Sequence, residues 1–297
     1  MAEVVVGVIG GSGLYDIEGL TEVEEVRVET PYGPPSDSFI SGRLEGVRCV
    51  FVPRHGRGHR LLPTEVPYRA NIWGLKRLGV RHVISVSAVG SLRADIEPGH
   101  MVCPDQLIDR TSRRVGTFFG DGVVGHVQFG DPMEERLRQV LLEAAREASG
   151  KVVHDGGTYV CIEGPTFSTR AESNLFRSWG CSVVGMTNLP EARLAREAEL
   201  AYATLALSTD YDCWHDGHDE VSVESVLAVI KANVSAARAV IRETCRRLGA
   251  LGDVTWPAHQ ALAGGMAVMT APDRIPDAAR QRVDLLVGRY LWPEKQA

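Results

Sequence analysis

Two aspartates stand two positions apart where an apolar run stops: Asp210 and Asp212 in "LSTDYDCW" (207–214), after the oily stretch 200–207. In an extended backbone, residues i and i+2 project to one side. The spacing therefore predicts two carboxyl groups side by side at a strand end. Such a pair is costly unless something shares the charge, and partial burial raises a carboxyl pKa, which suits an acid working near neutral pH. A purine satisfies the pair: its N7 takes a proton from one carboxyl while an exocyclic 6-amino group donates to the other. A helix cap or a surface loop over "DCWHDGHDE" explains the same residues about equally well.

Other short stretches carry groups suited to an anion or a nucleoside. "VIGGSGL" (8–14) is a strand followed by a glycine turn with one hydroxyl, Ser12; it lacks the third glycine of a dinucleotide fingerprint, since Asp16 stands there. "PRHGRGH" (53–59) offers the planar fork of Arg54 and the ring of His55 for a phosphate, or else a solvated basic loop. "SAVGSL" adds Ser87 and the backbone of Ala88. Each of these turns follows a strand, so all three are expected to converge at one sheet edge. "IEGPTFSTRAES" (162–173) brings Phe167 to stack on a base and Ser168 to bond its edge, or supplies Ser168 or Thr169 as a helix N-cap. "VVGMTNLPEA" (183–192) places Met186 as a soft wall for a sugar and Thr187 beside it. "HDGHDE" (215–220) reads as a solvated loop, a lid over the site, rather than a metal centre, because a glycine interrupts it and no second cluster exists.

The elements that must hold these residues come from the periodicity. Val4 to Ile9 reads as a buried strand followed by a tight turn, and the stretches 47–56, 81–92, 157–167 and 201–212 each read as a strand followed by a polar ending. Helical spacing fits 68–78, 133–148, 170–179, 189–198, 221–248 and 278–291. Strands alternating with helices over 297 residues predict a single α/β domain with the site at strand carboxyl ends. A formal charge of −6 with scattered basic residues argues against a nucleic-acid binder. Six cysteines without zinc-type spacing read as reduced, mostly buried thiols of a cytoplasmic protein. No segment has the apolar length of a membrane span, and "MAEVVVGVIGGSG" lacks the basic region of a signal peptide.

Taken together, "GVIGGSGLYDIEGL", "TPYGPPSDSF", "PRHGRGHRLLPTEVPYRANIWGLK", "VSAVGSL", "DQLIDRT", "IEGPTFSTRAES", "GMTNLPEARLARE" and "STDYDCW" resemble the S-methyl-5′-thioadenosine phosphorylases, among the trimeric purine nucleoside phosphorylases. The resemblance runs from residue 4 to about 248, while 250–297 match weakly. It implies a single-domain phosphorylase/hydrolase-like fold with a central mixed β-sheet flanked by helices, and attack of inorganic phosphate on C1′ of a 5′-modified 6-aminopurine nucleoside, with adenine leaving and no metal or organic cofactor. It places Ser12, Arg54, His55, Ser87, Ala88 and Thr187 on the phosphate, Phe167 and Ser168 on the base, and Met186 on the ribose. Asp210 becomes the acid at N7 and Asp212 the holder of the 6-amino group. Val223, Val226 and Leu227 become an apolar floor for the 5′ substituent, and His126 reaches into a neighbouring subunit of a homotrimer. Ser12 and Ser87 stand where other members often carry threonine. The competing readings are phosphorolysis of a 5′-halo-5′-deoxyadenosine or of a 6-oxopurine nucleoside, hydrolysis of the same nucleoside by water, and a non-catalytic nucleoside sensor.

Overall fold

The structure, a computed structural model, describes residues 3–11, 13, 14, 16–215, 223–264 and 267–293; the side chains of 223–232 lie outside that set. Eleven strands form one mixed sheet: β1 (Val5–Gly10), β2 (Thr21–Val26), β3 (Phe39–Leu44), β4 (Val47–Pro53), β5 (His82–Ser91), β6 (Met101–Cys103), β7 (Gln106–Arg110), β8 (Val153–Asp155), β9 (Thr158–Ile162), β10 (Cys181–Gly185) and β11 (Ala201–Asp210). Among the described residues six α-helices cover it: α1 (Tyr68–Arg77), α2 (Glu135–Ala148), α3 (Arg170–Ser178), α4 (Asn188–Glu197), α5 (Val223–Leu251) and α6 (Asp277–Leu291). All six lie where the helical spacing predicts them. The α/β architecture with a central mixed sheet is as expected, and the weakly matched C-terminal stretch packs α6 onto the core through Val283, Leu286 and Val287.

The central strands are apolar on both sides because helices cover both faces. β1, "VVGVIG", is buried throughout. Val6 and Val8 pack towards α2 and α5 with Leu137, Leu141 and Ile241, while Val5 and Ile9 face α1, α4 and α6 with Ile72, Leu75 and Leu194. At roughly 25 cal/mol per Å² of apolar surface removed from water, these two layers supply the main drive for folding.

Three strands set up the site. β5 pairs in parallel with β1 only as far as Ser85, and in antiparallel with β10 only at Gly90 and Ser91. Between those ladders residues 86–89 have no strand partner on that side, so the sheet forks there. On its other side β5 is paired with β11 along almost its whole length. The fork explains why Ala88, in the middle of a central strand, is exposed. Parallel pairing of β1 with β4 brings Gly10 opposite Pro53 and ties Arg54 N to Gly10 O at 2.8 Å. The turns after β1 and β4 thus meet the fork at one sheet edge, as their positions after strands predict.

Candidate active site

β11 ends at Asp210, and Asp212 lies beyond it in a turn with φ of 51°. The pair is therefore not the i, i+2 alignment of an extended strand. The carboxyls are brought together differently: a register shift in the β11–β5 ladder sets Asp210 opposite Gly90, and the chain then folds back in an Asx turn in which Asp212 N donates to Asp210 Oδ1 at 2.7 Å. Gly90 makes room for both. A Cβ there would stand 2.9 Å from Asp210 Oδ1 and 3.2 Å from Asp212 Cβ. Thr209 Oγ1 donates to Asp210 Oδ2 at 2.6 Å. Trp214 pins the turn by donating Nε1–H to Ser91 O at 2.7 Å beneath the guanidinium of Arg177, 3.6 Å from the ring centre.

Burial pushes the Asp210 carboxyl above the usual carboxylate range against the bond from Thr209. The Asp212 carboxyl is raised as well, by burial first and further by the charge on Asp210, while the nearby Ser173 and Ser168 hydroxyls draw it back. Asp212 Oδ2, Ser168 Oγ and Ser173 Oγ are all buried, and none has a hydrogen-bond partner of good geometry among the described residues. Buried polar atoms without partners cost about 1–3 kcal/mol each. A group of them around an elevated carboxyl is poised for a polar ligand.

The hydroxyl side of the fork lies on the same strand. Ser87 Oγ is 3.0 Å from Thr187 Oγ1 and 3.1 Å from the phenol of Tyr159. Thr187 follows β10, which runs back along β5 and so returns its end to Ser87. Tyr159 reaches this cluster across Gly185, where a Cβ would stand 2.0 Å from the phenol oxygen. His55 donates its Nδ1–H to Leu61 O at 2.8 Å. Burial and then the Arg54 charge lower its pKa to about 4, so the ring is neutral at pH 7, donates from Nδ1, and keeps an acceptor at Nε2.

Arg54 is placed differently from a free phosphate fork. It is 2% exposed, and its Nε and Nη2 meet the Glu191 carboxylate at 2.7 and 2.9 Å. Nη2 also meets Ser85 Oγ at 2.7 Å, and Nη1 donates to Val86 O at 3.0 Å. One N–H of Nη1 is what this arrangement leaves for a ligand. Neither Glu191, on α4, nor Arg114 had a local signal in the sequence. Arg114 is a hub: its guanidinium holds Glu163 Oε1 at 2.9 Å, Glu163 O at 2.7 Å, Met186 O at 2.7 Å and Leu189 O at 2.6 Å. It fixes the segment leading to Phe167 and Ser168 relative to the one bearing Met186 and Thr187.

Phe167 is 46% exposed, a ring open to a ligand, and Met186 packs at Gly164. The N-cap of α3 is Thr169, in a capping box with Glu172, which frees Ser168 from that duty. His126 is exposed, on a ribbon where its N–H bonds Ala267 O at 2.7 Å, beside a groove of about 880 Å³ bordered by Gln128, Phe129, Arg196 and Pro257. None of the Asp210 group borders that groove. Ser12, the side chains of Val223, Val226 and Leu227, and residues 216–220 of the expected lid lie outside the described residues. The six cysteines are free thiols, five of them buried. Among the described residues no group of three His, Cys, Asp or Glu is placed to hold a metal ion.

Residues 5–246 match the family model described as the phosphorylase superfamily. The chain belongs to that superfamily. Similar members include S-methyl-5′-thioadenosine phosphorylases of Geobacter sulfurreducens, 59% identical over 97% of this chain and 100% of the relative, and of Synechocystis sp., 56% identical over 99% and 90%. Among solved phosphorylases, a methylthioadenosine phosphorylase from an Antarctic soil metagenomic library superposes with a TM-score of 0.90 at 47% identity, covering 96% of this chain and 99% of the other. One from Schistosoma mansoni, solved in complex with adenine, gives 0.79 at 40% identity over 84% and 92%. The phosphorylase model ends before α6 and most of the C-terminal segment.

Proposed function

We propose that this chain catalyses phosphorolysis of S-methyl-5′-thioadenosine, giving adenine and 5-methylthioribose 1-phosphate. The observation that carries the reading is the elevated Asp210 carboxyl, held across Gly90 on the strand whose Ser87 and Ala88 open onto the fork. Relatives bearing that activity in their names, at full length and above 50% identity, support it.

In this mechanism a phosphate oxygen attacks C1′ and the C1′–N9 bond breaks. The bonding pair goes to the base, and N7 takes the Asp210 proton, so adenine departs neutral; solvent then reprotonates the carboxylate. The transition state develops positive charge on the sugar and negative charge on the base, and an acid at N7 with an anion below C1′ stabilises both. Asp212, with Ser168, accepts from the 6-amino group, and Phe167 stacks on the ring. Met186 lines the ribose, and Val223, Val226 and Leu227 line the 5′ group. Ser12, His55, Ser87, Thr187 and the backbone of Ala88 bind phosphate. Arg54 contributes its remaining Nη1 N–H, a smaller share than a free guanidinium would give. Neutral His55 offers Nε2 to a protonated phosphate oxygen.

The reading needs no resident metal or organic cofactor, since the proton donor and the nucleophile's cradle are both side-chain chemistry. It includes a homotrimer in which His126 serves a neighbour's 5′ pocket; its exposure, away from its own chain's Asp210 group, supports this. Buried free thiols support a cytoplasmic setting. No helix among the described residues is long and apolar enough to cross a membrane.

The test is base release from methylthioadenosine, 5′-halo-5′-deoxyadenosines, adenosine and methylthioinosine, each with and without phosphate, by chelator-treated protein. Phosphate-dependent release of adenine, fastest from methylthioadenosine, is expected. Release without phosphate would make the chain a hydrolase, and preference for the inosine analogue would remove Asp212 from its role.

A further inference from the structure

At the opposite end of β5 and β11 lies a cavity of about 570 Å³, bordered by Lys76, Arg81, Glu199, His259, Arg289 and Tyr290. Arg81 immediately precedes β5 and Glu199 stands just before β11, so at 3.3 Å per residue roughly 30 Å of strand separates this cavity from Gly90 and Asp210. Part of its wall comes from the C-terminal segment, which the superfamily model does not cover. The volume falls in the range of small-molecule sites, about 300–1,000 Å³.

Its cations are unequally partnered. Arg81 pairs with Asp253 and also donates to Val254 O, Thr255 Oγ1 and His259 Nδ1, each at 3.2 Å. Arg289 pairs through Nη2 with Glu199, whose carboxylate also accepts from Leu262 N at 2.9 Å and the Tyr290 phenol at 2.7 Å. Three cations thus meet two carboxylates. Among the described residues Lys76 Nζ has no hydrogen-bond partner, nor do Nε and Nη1 of the half-exposed Arg289. His259 does not add charge: burial and then Arg81 hold its pKa at about 4, so it is neutral at pH 7.

We propose that this cavity is a second binding site, separate from the nucleoside site, for a small anion carrying phosphate or carboxylate oxygens, with Lys76 and the unpartnered edge of Arg289 as its anchors. A guanidinium edge beside an ammonium is the donor set that fits such oxygens. The environment of Lys76 agrees. Burial lowers its pKa to about 8, opposed by Glu199 and aided by Arg289 and Arg81, so Glu199 compensates the ammonium only in part and an anion would add the rest. Anion binding takes up that charge and so favours the protonated amine. Affinity is therefore full below pH 8 and falls as the pH rises through it.

The test is calorimetric titration with inorganic pyrophosphate and with citrate, in the wild-type chain and in Lys76→Met, Lys76→Arg and Arg289→Met. The expected result is a binding class that weakens at least tenfold in Lys76→Met and Arg289→Met, returns in Lys76→Arg, and weakens from pH 7 to pH 9. Nucleoside turnover should be unchanged in Lys76→Met, which loses no hydrogen bond. The tighter probe identifies the head group. Indistinguishable isotherms for the wild type and both Met variants would overturn the proposal and leave Lys76 as a solvated ammonium.

Discussion

Two pairs of charged side chains flank the fork in the sheet, and they are built on opposite principles. Arg54 and Glu191 are of opposite sign, almost fully buried (side chains 3% and 2% exposed) and bonded on both edges. Asp210 and Asp212 are of like sign and partly buried, and Asp212 Oδ2 has no partner among the described residues. A satisfied ion pair is at rest, and its work is to lock β1, β4, β5 and α4 together. The carboxyl pair is held in an unfavourable state by its surroundings, and such a state is relieved by a ligand that brings donors and takes a proton. The difference teaches that charge near a site is not enough to assign a role; what matters is whether the charge is already spent.

The largest effect is expected at the carboxyl pair. Asp210→Asn should lower kcat by about 10²–10⁴-fold, the usual worth of a positioned acid, with Tm in thermal unfolding unchanged or raised, because a like-charge neighbour is removed. A large drop in Tm would make Asp210 structural. On the other pair the balance should invert. Glu191→Gln strands a buried guanidinium and should cost about 3–5 kcal/mol in chemical denaturation, and the double variant Arg54→Met with Glu191→Leu should recover most of it. If Arg54→Lys instead raised KM for phosphate with stability intact, Arg54 would be chiefly a ligand residue. Gly90→Ala tests the space between the two carboxyls: the added methyl displaces Asp210, and a loss of roughly 100-fold in kcat is expected with little change in KM.

How much of this was legible beforehand depended on the reach of each interaction. Helices announced themselves through apolar spacing and, for α3, through an N-cap at Ser168 or Thr169, of which the fold uses Thr169. β2, "TEVEEV", is almost wholly exposed and carries no apolar run, and β6 and β8 span three residues each, too short for any period to register. Asp210 was visible because it ends an apolar strand. The conformation of Asp212 was not, since a left-handed residue in a fold-back turn has no signature in "TDYD". Glu191 is 137 residues from Arg54, and only the folded sheet brings them together.

The smallest effect concerns acid stability. Burial holds His55 near 4, His82 near 3 and His259 near 4, all below the ordinary 6.5. A lowered histidine pKa means the unfolded chain binds the proton more readily, so this stability is complete above pH 6.5 and is lost as pH falls from there towards 4. Each histidine adds a slope of at most about 1.4 kcal/mol per pH unit in that window. His82→Gln should flatten the fall in denaturation experiments, and an unchanged slope would show that other groups set it.

The central claim concerns where the proton goes, and leaving-group dependence reads it directly. Asp210→Asn is assayed with methylthioadenosine and with a 5-methylthioriboside of 4-nitrophenol, whose leaving group departs as a stable anion and needs no acid. A large loss on the nucleoside, with phosphorolysis of the aryl riboside close to wild type, is the predicted result. Equal losses on the two substrates would contradict Asp210 as the acid at N7.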